Sequence, residues 1–120
     1  MKNSVHFIQT PEFDAFLNSL SEHDSSKLLE RISQIEKNGF QVAISKKWIK
    51  KIEKNLYEIR SRYGSNIQRA IYFQYGVSEY LIVRGFTKKT QKTPHHEISQ
   101  AKKKRFQYLK EKANHETNID

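Results

Sequence analysis

The sequence predicts an α+β domain: an N-terminal strand, a helical hairpin, an antiparallel sheet of three further strands and a C-terminal helix. Three observations carry this. Runs with period-2 alternation lie at 55–60, 68–75 and 79–86, separated by turn signals at Gly64-Ser65-Asn66 and around Gly76. Ahead of them, apolar residues recur at i, i+3, i+4 and i+7, the spacing of one helical face. Finally, Thr-Pro occurs twice, at Thr10-Pro11 and Thr93-Pro94. Each pair suits a helix start, with Thr as N-cap and Pro at the first helical position.

In chain order, residues 5–9 read as the first strand, with Val5, Phe7 and Gln9 alternating against His6 and Ile8. Thr10-Pro11-Glu12 then opens a helix whose buried stripe is Phe13, Phe16, Leu17 and Leu20. Ser21 or Asp24 caps a second helix, with Leu28, Leu29, Ile32 and Ile35 facing inward, and Asn38-Gly39 stops it. Residues 40–54 read as a basic connector holding the only tryptophan; Trp48, beside Ile49 and Ile52, is expected to anchor packing. In the sheet, Leu56, Glu58 and Arg60 share one face of their strand, and Arg69, Ile71, Phe73 and Tyr75 share one face of the next. Simple alternation puts Leu81, Val83 and Gly85 opposite Tyr80, Ile82, Arg84 and Phe86. One side of the sheet is expected to bury its apolar groups on the helices. The last helix docks through Ile98, Ala101, Arg105, Tyr108 and Leu109. The domain is expected to span 1–112, with 113–120 as a flexible tail.

At 120 residues, the chain suffices for one domain with a modest core. Hydrophobic content is 36%, and the 12% aromatic residues partly compensate for this low value. There is no cysteine, which excludes a disulfide scaffold and any thiolate metal site. No apolar run approaches the length of a membrane span and the N-terminus lacks signal-peptide character, so a soluble cytoplasmic protein is expected. His6 and His23 have no clustered partners, so neither a metal site nor a cofactor is expected.

The net charge of +9 is unevenly placed. Residues 1–45 carry −2, residues 46–83 carry +5, residues 84–112 carry +8 and the last eight carry −2. A solvated face would spread its charge more evenly, so a polyanionic partner is the better inference. The richest run is 86–97, Phe-Thr-Lys-Lys-Thr-Gln-Lys-Thr-Pro-His-His-Glu, which lies where a strand ends and a basic helix begins. Lys88, Lys89 and Lys92 suit backbone phosphates. His95 and His96 titrate near neutrality and could move protons, although the helix N-terminus disfavours their charged form.

Three stretches together resemble the RelE/ParE toxin superfamily, in its HigB-like, phage-associated branch of type II toxin–antitoxin systems. They are Leu56-Tyr57-Glu58-Ile59-Arg60, Arg69-Ala70-Ile71-Tyr72, and the run from Phe86 through Pro94 to Ile98, with Ala101 one turn on. The resemblance implies a RelE-like fold and a ribosome-dependent endoribonuclease, an mRNA interferase that cuts messages in the decoding site. Its implied partners are messenger RNA, the ribosome with its 16S ribosomal RNA, and an inhibiting antitoxin, often a helix-turn-helix protein. The ParE branch shares the fold yet poisons DNA gyrase. A non-catalytic RNA- or ribosome-binding module would carry the same basic surface. Fold alone does not choose among these.

Metal-independent cleavage of RNA activates a ribose 2′-OH to attack the adjacent phosphorus. It needs a base, an acid for the leaving 5′-oxygen, and donors for the charged phosphorane. Arginine forks match phosphate oxygens bidentately and stay charged. The candidate catalytic residues are accordingly Arg60, Arg69, Tyr72 and Lys88. Lys89, Gln91, Lys92, His95 and His96 are the candidate RNA-binding residues.

Overall fold

The computed structural model describes residues 4–89 and 92–118, the last two by backbone alone. Its elements are β1 (His6–Gln9), α1 (Pro11–Ser19), α2 (Glu22–Asn38), α3 (Phe40–Ser45), β2 (Ile49–Glu53), β3 (Leu56–Tyr63), β4 (Asn66–Gln74), β5 (Glu79–Thr87) and α4 (His95–Asn118). They build one five-stranded sheet in the order β1-β5-β4-β3-β2. The three β3–β5 strands pair antiparallel as expected, and β1 adds to β5 in parallel. This is the α+β arrangement that the sequence predicts, and it agrees with a RelE-like fold.

Local chemistry sets the helix ends. Thr10 is 3% exposed; its Oγ1 accepts from Phe13 N and donates to Ile82 O at 2.7 Å, so one hydroxyl both caps α1 and ties it to β5. Such a cap stabilises by about 1 kcal/mol. Ser21, of the two candidates, caps α2. Gly39 ends α2 at φ +87°, a conformation that L side chains rarely adopt. Leu28, Ile32 and Ile35 form the buried stripe, while Leu29 at its margin is exposed.

Both faces of the sheet are covered, a difference from the one-sided burial expected. Helices α1 to α3 cover the face bearing Phe7, Ile59, Ala70, Tyr72 and Ile82. On the other face, α4 covers Leu56, Ile71, Phe73, Leu81, Val83 and Phe86, with Ala101 fully buried at the contact. Helix α4 is fastened by polar contacts as well. Tyr108 donates its hydroxyl to Glu12, Arg105 donates to the carbonyls of Lys54 and Asn55, and Lys112 donates to the Tyr75 carbonyl. The helix continues to Asn118, past the point where the domain was expected to end.

Two elements differ from the sequence reading of 40–54 as a connector. Residues 40–45 form the short helix α3, and 49–53 form β2 on the edge of the sheet. Lysines at 50 and 51 mask the alternation of β2, as charges on an edge strand commonly do. Even so, Ile49 packs toward α1–α3 and Ile52 toward α4. Strand β5 differs too: Ile71 pairs with Arg84 but Tyr72 with Ile82, so Val83 is an extra residue. This bulge reverses the phase of alternation. Phe86 therefore faces α4, and Gly85 faces α1, where an added Cβ would lie 2.1 Å from Phe16.

Candidate functional site

The register of β3 and β4 decides which charges meet. Arg60 and Arg69 are direct cross-strand partners, and Glu58 sits opposite Ile71, all on the face that α4 covers. Glu58 is fully buried, with Oε1 3.2 Å from Arg69 Nε and 3.8 Å from Arg60 Nε. Its other oxygen, Oε2, accepts from Thr93 Oγ1 at 2.7 Å. One carboxylate thus holds two guanidinium groups and the chain just ahead of α4. Arg69 is 6% exposed, whereas the Arg60 side chain keeps 30% of its surface.

Thr93 was expected to cap α4, but its hydroxyl serves Glu58, and the Pro94 carbonyl accepts the first helical bond from Ile98. His95 and His96 are consequently the first residues of α4, and both are exposed. Glu97 is held by more than the helix dipole, because Arg84 Nε donates to it at 2.6 Å.

Lys88 belongs to the same cluster. Burial, followed by the positive charges of Arg69 and Arg60, holds its ammonium below the ordinary lysine value of 10.5; Glu58 opposes this and Lys50 adds to it. Its backbone N–H bonds to Ile67 O at 2.8 Å, fixing the end of β5 against β4. Burial also lowers the proton affinity of Arg69, against the attraction of Glu58. Arginine nevertheless remains a cation at any working pH. Lys89 and Lys92 are exposed beside the cluster, and Gln91 lies outside the described residues.

Tyr72, named among the candidate catalytic residues, does not join this group. An even-numbered position on β4, it points to the opposite face from Arg69. There it is 2% exposed, packed on Phe7, Phe40, Tyr57 and Tyr80. Burial, then the neighbouring Tyr57 and Tyr80, raises its hydroxyl pKa well above the usual tyrosine range. The three tyrosines, with Phe40, Ile44 and Ile49, line a largely apolar pocket of about 350 Å³.

A second cleft, of about 220 Å³, opens at the edge of β3 and is lined by Arg31, Lys47, Arg60, Ser61, Arg62, Ile67 and Arg69. Trp48 packs beside it against the core, as expected, with the Arg31 guanidinium 4.8 Å above its ring. The sequence reading passed over Lys50, Arg31, Lys47 and Arg62. Alternation along 49–53 would have marked Lys50, but nothing local to α2 signals that Arg31 meets β3. Among the described residues, no group of three or more His, Cys, Asp or Glu side chains is placed to hold a metal ion. No helix among them is long and apolar enough to cross a membrane.

A basic α+β domain of RelE-like architecture, with paired arginines on one sheet face, defines the class. The chain belongs to the phage-derived Gp49-like protein family (DUF891), whose model matches residues 15–106. That family is of the RelE-related, toxin-like kind, which implies an antitoxin partner. A comparison with curated proteins found no match.

Proposed function

We propose that this chain is the toxin of a type II toxin–antitoxin pair and acts as a ribosome-dependent endoribonuclease on messenger RNA. The observation that carries the reading is the cross-strand pairing of Arg60 with Arg69 beside Lys88, all around the buried Glu58. In this reading Arg60 presents its fork to the phosphate at the cut, and Arg69, held by Glu58, supplies fixed positive charge behind it. Preorganised donors of this kind stabilise the phosphorane without reorganising as charge develops. As the 2′-oxygen bonds to phosphorus and the bond to the 5′-oxygen breaks, the 2′-OH proton passes to solvent water, and Lys88, whose proton affinity burial and its neighbours weaken, gives a proton to the departing 5′-oxygen. Lys89, Lys92, His95 and His96 border the site and contact the RNA backbone. The ribosome supplies the bent, near-attack shape of the message, which is why few groups suffice on the protein. A helix-turn-helix antitoxin inhibits the toxin.

The test is incubation of the purified chain with ribosomes programmed with a defined message, followed by primer extension. New 5′ ends within the decoding site are expected with the wild type and not with Arg60→Ala. Absence of cleavage with the wild type, together with tight binding to gyrase, would overturn the reading.

A further inference from the structure

Strand β2 ends its pairing with β3 at the Ile49–Ile59 pair, and Trp48 O then accepts from Arg60 N. Past that point no strand of the described residues pairs with the outer edge of β3, and the cleft at this edge draws residues from both faces of the sheet. Arg60, Arg62, Ile67 and Arg69 come from one face, and Ser61, at the intervening position, from the other. Arg31 reaches it from α2 and Lys47 from the turn after α3.

The balance of charge here is one-sided. Five cations line the cleft, and the nearest acid, Glu58, is already shared between Arg60 and Arg69. Among the described residues, Arg31, Lys47 and Arg62 have no carboxylate within ion-pair distance. Burial lowers the proton affinity of Arg31, only partly offset by Glu30. Four polar atoms of the lining, Arg31 Nε, Arg60 Nε, Ser61 Oγ and Arg69 Nε, are buried with no hydrogen-bond partner among the described residues; Glu58 Oε1 lies within ion-pair distance of the Arg60 and Arg69 atoms, which leaves Arg31 Nε and Ser61 Oγ, and Ser61 is only 5% exposed. Buried polar atoms are normally paired, so two orphans in one cationic cleft point to a missing acceptor. Lys47 adds backbone strain, for it stands at φ +60°, where glycine or asparagine would be cheaper.

We propose that this cleft binds a backbone phosphodiester of RNA through Arg31, Lys47, Ser61 and Arg62, as a site beyond the arginine pair assigned to the cut. It rests on the reading of the chain as a protein that acts on RNA. A single carboxylate of a protein partner would leave most of the charge unbalanced, whereas consecutive phosphates of one strand match a row of guanidinium groups. The phosphate belongs either to the message or to ribosomal RNA, and both sources share this chemistry.

The test uses the purified full-length chain with two probes. One is a short fluorescein-labelled single-stranded RNA, 2′-O-methylated so that it cannot be cut, read by anisotropy across a salt series. The other is purified small ribosomal subunits, read by cosedimentation. Arg31→Gln and Lys47→Gly are each expected to weaken binding about 10-fold in at least one arm. The log–log salt slope should fall by about 0.7 for each phosphate of a single strand that is no longer neutralised. Loss in the oligonucleotide arm assigns the phosphate to the message; loss confined to the subunit arm assigns it to ribosomal RNA. Lys47→Gly relieves the positive φ and should fold at least as stably as wild type, so it decides the matter if Arg31→Gln does not fold. Unchanged affinity of Lys47→Gly in both arms overturns the site, as does a weakening in the oligonucleotide arm with an unaltered salt slope. If the variants lose affinity while the wild type never cuts a message, the cleft stands and the nuclease reading falls. If the wild type cuts and the variants bind normally, the cleft alone falls.

Discussion

Arg69 Nε lies 3.2 Å from Glu58 Oε1, and both side chains are almost wholly removed from water. Burying two opposite charges costs much of what their attraction returns, but removing one partner strands the other. Glu58→Gln is therefore expected to destabilise the fold by about 3 kcal/mol. The double variant Glu58→Leu/Arg69→Leu should recover most of this. Urea unfolding of Glu58→Leu, Arg69→Leu and the double, as a double-mutant cycle, measures the coupling; simple additivity would contradict the pairing.

Arg60 and Arg69 face each other across the strands, yet their substitutions should differ. Arg60 retains solvent contact and shares Glu58 at the longer distance of 3.8 Å. Arg60→Ala should lower ribosome-dependent cleavage about 100- to 1,000-fold. Its urea midpoint should move little. Arg69→Ala should lose cleavage and stability together, because the Glu58 carboxylate remains buried without its nearest cation. Equal stability losses in both variants would refute this division.

The Lys88 ammonium has its proton affinity lowered in the folded state, so folding releases protons at this position. Between its folded value and 10.5, the unfolded chain binds more protons than the folded one, and stability rises with pH across that window. Below the window the full cost of the charged lysine is present. Lys88→Met should accordingly be more stable than wild type at neutral pH, with the gap closing as pH approaches 10.5. Thermal melts over this range test the sign; a gap independent of pH would exclude the linkage.

Gly85 is needed for lack of a side chain, since a Cβ there would meet Phe16 at 2.1 Å. Gly85→Ala is expected to cost about 1–3 kcal/mol or more through overpacking. Adding Phe16→Leu should restore part of the loss. A further loss in the double variant, by thermal denaturation, would show that the clash is not with this ring.

The sequence made legible those parts of the fold whose signals are local. Thr10 and Pro11, Asn38 and Gly39, and the alternation through Leu56 to Phe73 each report a conformation decided within a few residues. The register of β3 on β4 was not legible, and that register is what sets Arg60 against Arg69. Nor could local pattern show that Val83 is bulged, so faces assigned to Arg84 and Phe86 by simple alternation came out inverted. Tyr72 illustrates the limit most directly. It lies three residues from Arg69 in a matching motif, and an odd spacing on a strand sends it to the other side of the sheet. Arg31 is distant in sequence from everything it lines the cleft with, and only tertiary packing brings it there.

The segment joining β5 to α4 is stapled at both ends: the Lys88 amide to Ile67, and the Thr93 hydroxyl to Glu58. The sheet thereby fixes Lys88 at one end and Thr93 at the other, as abutments do. Opening the Thr93 tether would release the head of α4 and the grip on the buried acid in the same event.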